Sequence, residues 1–382
     1  MKAPSLTLGV EEEYQIVDVE TRELRSYITQ LLQEGTSTME GLRPELHQSV
    51  VEVGSSVCRD SQEVREEIRR LRRGVSELAA EHDLRIVAAA THPFSSWINQ
   101  EITPLERYLG VEEDLQDLAR RNLVFGMHVH VGIEDPEFRM EVLTVARYFL
   151  PLFLALSTSS PMWMGRNTGL MSYRSVQWRN FPRTGMPPRF STYAEYEHIV
   201  DVLIRAGSIE DPSKIWWDIR PHHLYPTLEF RVCDVCTRME DAVSLAAMYQ
   251  AMVAKLWKLR RRNLHLRTYP LTLLSDNKWR AVRYGLEGDL IDLRRDRVRP
   301  ARELIREFIE GFLDDVVDEL GTRREVEHAL RIAEGGTSAH RQLAVFRETG
   351  DPRTVVDHLI AETLEGTGLE ETLGISGSGS PS

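Results

Sequence analysis

The sequence predicts an α+β fold in which the strands form mainly one antiparallel sheet and the helices pack behind it. Short segments rich in β-branched and apolar residues occur in the first two thirds of the chain. Segments with helical periodicity gather in the last third. Several strand segments alternate apolar with charged residues, as in antiparallel sheets with one packed face and one open face. A regularly alternating parallel sheet is therefore less favoured.

The candidate strands share an apolar, β-branched composition. They are residues 6–18, 47–53, 84–90, 123–133, 215–220 and 226–233. A helix is predicted after Asp60, because apolar residues recur at helical spacing from Val64 to Leu78 and Glu63 has the place of a capping-box acid. Segment 136–157 is apolar almost all round and predicts a buried helix that kinks or ends near Pro151.

The last third of the chain is predicted to be helical throughout. Thr237 and Glu240 have capping-box spacing and open a helix with an apolar stripe. Residues 366–382 lack apolar periodicity and end in a Ser- and Gly-rich run, so they are predicted to be a disordered tail. Residues 1–365 are predicted to form a single catalytic domain, since 42% hydrophobic residues in a 382-residue chain can bury a large core.

Composition also limits the setting of the protein. The formal net charge of −12 argues against a nucleic-acid footprint. The longest apolar stretch, residues 148–156, is far shorter than the roughly 20 residues that span a bilayer, and the amino terminus lacks the pattern of a signal peptide. Three cysteines form no disulfide framework, and Cys233 and Cys236 lack the second pair of a zinc site. We expect a cytoplasmic protein without membrane or nucleic-acid partners.

Charged residues share single faces of several predicted strands. In residues 227–233, Glu229 and Arg231 point opposite to their apolar neighbours, and in residues 124–132 the same holds for His128 and His130. Each pattern alone is more often a solvated or structural face, but their co-occurrence favours a shared site.

The carboxylates follow the same alternation. Glu11 and Glu13 share one face of the first strand, and Glu12 falls on the packing face, which predicts a sheet edge there. Glu52 stands among apolar residues and needs a cationic partner. If the strands form one sheet, these side chains converge on its open face. Clustered carboxylates need shared protons or bound divalent cations, and an oxygen-rich set of ligands suits Mg²⁺ or Mn²⁺ better than zinc.

Seven motifs in matching order resemble one family. They are GVEEEY (9–14), VEVGSSVCRD (51–60), THPF (91–94), HVHVG (128–132), WDIRP (217–221), TLEFRV (227–232) and RYGLEG (283–288). Over residues 5–365 the chain resembles the bacterial carboxylate–amine ligases grouped as glutamate–cysteine ligase type 2. The resemblance implies a fold like glutamine synthetase and the guanidino kinases, with a curved, mainly antiparallel sheet forming a funnel backed by helices.

The resemblance also implies chemistry. ATP would phosphorylate a carboxylate, and an amine would displace the phosphate. By motif match the expected metal ligands are Glu11, Glu13, Glu52, His128 and Glu229. Arg231, Arg220 and Glu229 are the expected catalytic residues, and Arg231, Arg283 and Arg174 the expected cofactor-binding residues. The arginine roles fit the need to bring two anions together.

The leading expectation is therefore an ATP- and Mg²⁺-dependent ligase, with Mn²⁺ as a substitute, that makes γ-glutamylcysteine from glutamate and cysteine. Nothing in the sequence selects a thiol as the acceptor. The resemblance suggests a homodimer. Two alternatives stay open: a phosphotransferase to a guanidino or amine nitrogen, and a noncatalytic nucleotide- or metal-binding relative. A zinc hydrolase is a poorer candidate, because the chain contains no H-E-x-x-H motif.

Overall fold

The computed structural model of the protein describes residues 2–35 and 39–370. Its centre is a seven-stranded sheet in which all paired strands are antiparallel. In chain order the strands are β1 (Leu8–Asp18), β2 (Leu42–Pro44), β3 (Val50–Gly54), β4 (Leu84–Val87), β5 (Met127–Gly132), β6 (Ile219–Pro221) and β7 (Thr227–Phe230). Their spatial order is β6-β7-β5-β1-β3-β2, and β4 pairs with the end of β1. The predicted α+β class is confirmed.

The α-helices of the described residues lie between and behind the strands. They are α1 (Ile28–Gly35), α2 (Ser61–Ala80), α3 (Glu106–Leu115), α4 (Asp117–Arg121), α5 (Pro136–Ala146), α6 (Leu150–Ser157), α7 (Tyr173–Trp178), α8 (Tyr193–Arg205), α9 (Met239–Arg261), α10 (Leu271–Tyr284), α11 (Ala301–Arg306), α12 (Asp314–Leu320), α13 (Arg323–Gly335), α14 (Ser338–Thr349) and α15 (Pro352–Leu364). A π-helical segment, Glu307–Leu313, joins α11 to α12.

Helix α2 shows how the sequence places a helix against the sheet. The side chain of Asp60 accepts hydrogen bonds from the backbone N–H groups of Gln62 and Glu63, both at 3.0 Å, and so caps the first turn. The predicted apolar stripe of α2, including Val64 and Ile68, is buried in the core that also contains β1 and α9. Burial of each such side chain stabilises the fold by roughly 1.5–3 kcal/mol.

Segment 136–157 forms two buried helices, α5 and α6, bent by 66° relative to each other. Pro151 lies in the first turn of α6, where its missing N–H has no helical partner to lose. The predicted break near this proline is confirmed. In the described part of the chain, no single helix is long and apolar enough to cross a membrane, and only this bent pair passes the same test by length and composition.

Two sequence predictions for the last third are wrong. Helix α9 begins at Met239, so Thr237 and Glu240 do not form its capping box: the Thr237 hydroxyl pairs with that of Ser338 at 2.6 Å, and Glu240 pairs with Arg65. Distant partners outcompete the local cap. The region is also not wholly helical, because Asp289–Asp292 and Arg297–Pro300 form a two-stranded hairpin.

The predicted tail begins inside the described fold. Leu369 is buried, and the Thr367 hydroxyl donates to the carbonyl of Leu364 at 2.7 Å, so residues 366–370 pack on the domain. Residues 371–382 lie outside the described residues, and their disorder stays a prediction. The single domain over residues 1–365 likewise stays a prediction.

Candidate active site

The open face of the sheet forms one wall of a polar cavity of about 540 Å³. Most of the residues predicted for the site line it, namely Glu11, Glu13, Glu52, His128, Arg174, Arg220, Glu229 and Arg231. A second cavity of about 280 Å³ is mainly apolar and lies against α6 and the π-helical segment. The polar cavity contains the carboxylates and arginines and is therefore the candidate active site.

Strand register explains why these side chains meet. Glu11 of β1 lies opposite His128 of β5, and Glu13 lies opposite Glu52 of β3. Glu229 of β7 lies opposite His130 of β5 and, on its other side, Arg220 of β6. Residues paired across antiparallel strands point to the same face. The predicted convergence on one face is therefore observed.

The sequence predicted a sheet edge at Glu12, and this prediction is wrong. Strand β1 lies between β5 and β3, and the Glu12 carboxylate is buried behind the cavity. Its oxygens accept hydrogen bonds from Arg72 at 2.6 and 3.0 Å and from the Tyr14 hydroxyl at 2.5 Å. A cation from helix α2 supplies the partner that burial demands, which the strand pattern alone could not show.

Three residues of types that bind metal ions lie close together, namely Glu11, His130 and Glu229. One ligand atom from each lies within 4.8 Å of the others. The Nε2 atom of His130 is buried, has no hydrogen-bond partner among the described residues, and lies 3.5 Å from an oxygen of Glu11. His128, the predicted ligand, lies beside them with its Nδ1 atom 3.3 Å from Glu11. The structure therefore adds His130 to the candidate ligands.

Charge balance keeps this group ionised. Burial raises the pKa of Glu11, but the adjacent imidazoles of His128 and His130 outweigh it and hold the pKa well below the usual value. Burial likewise opposes ionisation of Glu229, yet Arg220 and Arg231 hold its pKa well below the usual value. The pKa of His128 is lowered by burial and by Arg231. Both carboxylates are thus available as anionic ligands at neutral pH.

A second group of carboxylates, Glu13, Glu45 and Glu52, has too few nearby cations to balance its negative charge. Burial and repulsion from Glu11, Glu45 and Glu13 raise the pKa of Glu52 well above its usual value. Burial and the nearby Glu13 raise the pKa of Glu45 to about 7. The Glu13 carboxylate accepts a hydrogen bond of 2.5 Å from the backbone N–H of Gly126. An added cation would relieve this repulsion.

Two arginines bracket Glu229. Arg220 donates from Nε to Glu229 at 2.7 Å, and Arg231 also donates to this carboxylate. The Nε of Arg231 is buried and has no partner among the described residues. Arg231 also lies over the ring of Trp178, with 5.8 Å from Cζ to the ring centroid. The guanidinium of Arg231 therefore keeps donor capacity for an anion.

Arg174 adds a third guanidinium. It is buried, and its Nη2 donates to the carbonyl of Arg231 at 3.3 Å, while its Nε has no partner among the described residues. Gly126 makes room for it, since a Cβ at this position would lie 2.4 Å from Nη2 of Arg174. The absent side chain of Gly126 therefore leaves the space that the Arg174 guanidinium occupies.

Other candidates lie elsewhere. Arg283, predicted to bind the cofactor, is not among the cavity-lining residues; its guanidinium donates to the carbonyl of Gly169 and lies over the ring of Tyr284. His92 is buried, and within the described part of the chain its hydrogen bonds are to backbone groups. Asp218, from the WDIRP motif, pairs with Lys278 at 2.6 Å.

Sequence reasoning missed several lining residues. They are Arg43, Glu45, His47, Arg107, Tyr108, Trp178, Trp216, His222, His223 and Tyr225. Most lie outside the long alternating strands, so no periodicity marks them. Glu45 could have been found from the sequence, because it is a carboxylate that lies one residue after β2 and seven residues before Glu52.

Residues 7–358 match the model of the glutamate–cysteine ligase family 2 (GCS2). The chain belongs to this family. Family membership confirms the resemblance carried by the motifs and makes the chain a ligase.

Curated relatives match almost end to end. A relative from Roseiflexus sp. strain RS-1 is 57% identical over 361 residues, which cover 94% of this chain and 95% of the relative. Relatives from Chloroflexus aurantiacus and Solibacter usitatus are 55% and 50% identical, covering 95% of this chain and 93% and 94% of their own lengths. All three carry the provisional name glutamate–cysteine ligase 2.

Solved structures confirm the fold class. The glutamate–cysteine ligase of Francisella tularensis in complex with AMP matches with a TM-score of 0.71 at 12% identity, covering 100% of this chain and 96% of that one. A bifunctional glutathione synthetase from Pasteurella multocida matches with a TM-score of 0.67 at 14% identity, covering 94% of this chain and 53% of that one. At these identities the likeness shows the fold alone.

Proposed function

We propose that this family member is an ATP-dependent ligase that joins the side-chain carboxylate of glutamate to the amine of cysteine through an acyl phosphate. One observation carries the proposal. Glu11 and Glu229, which lie close to His130, line the same cavity as Arg174 and Arg231, two buried arginines whose Nε atoms have no partner among the described residues. The names of the relatives and of the Francisella structure support the substrates.

Formation of an acyl phosphate needs cationic groups, and the cavity contains several arginines. An acyl phosphate forms only when a carboxylate and the terminal phosphate of ATP approach against their mutual repulsion. Arg174 and Arg231 have free donor capacity for one anion, and Arg231 is already oriented by Glu229. The arginines bind and orient the anions, and they neutralise part of the charge that develops during transfer.

Divalent cations fit the same residues. Glu11 and Glu229 offer oxygen ligands of the kind that Mg²⁺ and Mn²⁺ prefer, and the buried Nε2 of His130 beside them has no hydrogen-bond partner among the described residues. Glu13 and Glu52, with Glu45 beside them, form a second set of oxygen ligands, and His128 adjoins both sets. A bound Mg²⁺ would supply charge neutralisation between nucleotide phosphates and substrate carboxylate.

Several features drawn from the resemblance remain part of this proposal. They are cysteine as the acceptor, the homodimer and the cytoplasmic location. Arg220, fixed to Glu229 and to the carbonyls of Ser213 and Ile215 at 2.7 and 2.8 Å, acts in this proposal by orienting Glu229. Arg283 lies outside the cavity lining, so it has no role here.

The test is product analysis with purified protein, ATP and Mg²⁺. ADP release is measured with glutamate alone, and then with glutamate plus each amine of a panel that includes cysteine. The expected result is release that needs both substrates, with γ-glutamylcysteine identified by mass. A phosphorylated amine would instead indicate a phosphotransferase. No turnover with any pair would contradict the ligase and favour a noncatalytic relative.

A further inference from the structure

Arg43 places a positive charge between two carboxylates of the candidate active site. It lies on strand β2, at the end of the sheet order, directly opposite Glu52 of β3. Its Nη1 atom is 3.2 Å from an oxygen of Glu11 and 3.5 Å from an oxygen of Glu52. One guanidinium therefore bridges an acid from each candidate metal-ligand group.

This guanidinium is held less firmly than the other cavity arginines. The side chain of Arg43 is 52% exposed, whereas those of Arg220 and Arg231 are 12% and 8% exposed. Arg220 also donates to two backbone carbonyls. Within the described residues, the two long contacts to Glu11 and Glu52 are the only hydrogen bonds of the Arg43 guanidinium. Half-exposed contacts of this length break readily.

The backbone beside Arg43 leaves space for the guanidinium. Gly54 ends strand β3, and a Cβ at this position would lie 3.6 Å from the Cζ of Arg43. The guanidinium packs over a residue without a side chain, and about half of the Arg43 side chain is exposed to solvent, 52%. It can therefore leave the carboxylates without moving the sheet.

We propose that Arg43 is a built-in counter-ion that competes with a divalent cation for Glu11 and Glu52 and so sets the metal affinity of the site. The inference rests on the proposed function, in which these carboxylates bind metal. A carboxylate that binds a divalent cation interacts less strongly with a guanidinium, because the two cations repel each other at short range. Metal binding displaces the Arg43 guanidinium from the two carboxylates. A variant without this guanidinium therefore binds the metal more tightly.

The experiment is titration of the metal-free, full-length protein with Mn²⁺ alone, with free Mn²⁺ measured by electron paramagnetic resonance. Arg43→Met keeps much of the aliphatic stem and removes the charge. The expected result is a Kd for Mn²⁺ lowered by roughly fivefold to tenfold. Arg43→Lys keeps a cation and should stay within about twofold of wild type.

A matched control separates this local effect from net charge. Arg120→Met removes one positive charge from a side chain of similar exposure, 44%, which pairs with Glu112. It should leave the Mn²⁺ Kd unchanged, because Arg120 is not among the cavity-lining residues, bonds to Glu112 and Gln116, and carries an exposed charge that solvent and salt screen. A second readout is thermal stability in EDTA: Arg43→Met should melt at a lower temperature than wild type and gain more on adding Mn²⁺.

The outcomes distinguish this inference from the proposed function. Mn²⁺ affinity that is unchanged or weaker in both Arg43→Met and Arg43→Gln overturns the counter-ion role. If wild type makes the amide product and Arg43→Met shows no change in Mn²⁺ affinity, only the inference fails. If wild type binds no Mn²⁺, both the metal assignment and the inference fail. Tighter Mn²⁺ binding in Arg43→Met supports the inference even where no amide forms.

Discussion

The guanidinium of Arg72 and the carboxylate of Glu12 form a completely buried ion pair directly behind the candidate active site. Arg72 also donates to the backbone carbonyls of Cys236 and Thr237 at 2.7 and 2.5 Å. The pair therefore joins helix α2, strand β1 and the segment that leads into α9. Because Glu12 lies between Glu11 and Glu13, the pair also fixes the strand that presents these two acids to the cavity.

Glu12→Gln is expected to destabilise the protein by about 3–5 kcal/mol, because it leaves Arg72 buried without its counter-charge. The measurement is the free energy of unfolding in urea. Glu77→Gln is the control: Glu77 pairs with Arg73 on the same helix, but both side chains are half exposed, so the change should cost less than about 0.5 kcal/mol. Equal costs for the two variants would show that the buried pair does not anchor β1.

Glu13→Gln and Glu229→Gln are each expected to lower kcat by at least about 100-fold while the fold is retained. Each removes an anionic ligand from the cavity, and the change at Glu229 would also leave Arg220 and Arg231 without their shared carboxylate. ADP release gives kcat, and far-ultraviolet circular dichroism reports the fold. Glu112→Gln, on the surface, should keep wild-type turnover. Near-normal kcat in both cavity variants would end the metal-ligand assignment.

Gly126→Ala is expected to lower kcat/KM more than tenfold, because the new Cβ would lie 2.4 Å from the Arg174 guanidinium and force it to move. Gly110→Ala is a matched control in helix α3, where a Cβ meets nothing within 4 Å. It should stabilise the helix by about 0.5–1 kcal/mol and leave turnover unchanged. If Gly126→Ala keeps wild-type kcat/KM, the position of Arg174 is unimportant for the reaction.

His92 is expected to make the protein less stable in mild acid. Its Nδ1 accepts hydrogen bonds from the N–H groups of Phe94 and Ser95 at 3.2 and 2.9 Å, so its proton is on Nε2, which donates to the carbonyl of Arg22 at 2.9 Å. Burial lowers its pKa from 6.5 to about 3. Below pH 6.5 the unfolded chain therefore binds a proton that the folded protein does not.

The sign of the pH effect follows from this difference. The contribution of His92 is present above pH 6.5 and is lost as the pH falls from 6.5 toward 3, at up to about 1.4 kcal/mol per pH unit. His92→Asn keeps an acceptor near the position of Nδ1 but cannot be protonated. Urea unfolding at pH 7.5 and pH 5 should show a smaller loss of stability in this variant. The same loss as in wild type would place the acid-sensitive group elsewhere.

The sequence predicted the faces of the strands correctly, but not their neighbours. Alternation in β1, β5 and β7 is a local property of the chain, since side chains of a strand point to opposite sides at a period of two. It was therefore enough to group Glu11 with Glu13 and His128 with His130. It could not show that Glu13 lies opposite Glu52, because register depends on how distant segments pair.

Local signals also failed where distant partners compete with them. Thr237 and Glu240 have the spacing of a capping box, yet each bonds to a residue from another helix. Glu12 has the pattern of a residue at a sheet edge, yet Arg72 from α2 makes its burial favourable in the middle of the sheet. In both cases the tertiary contact satisfies the polar group better than the local structure would.

The sequence by itself determined the fold class, the open face of the sheet and the acids and histidines on it, because hydrophobic periodicity and strand alternation are written in neighbouring residues. The tertiary structure alone decided that Arg43 bridges Glu11 and Glu52, that Glu45 joins the second carboxylate group and that Arg283 stays outside the cavity lining. The physical reason is that these contacts join segments far apart in the chain, and packing of the whole core sets them.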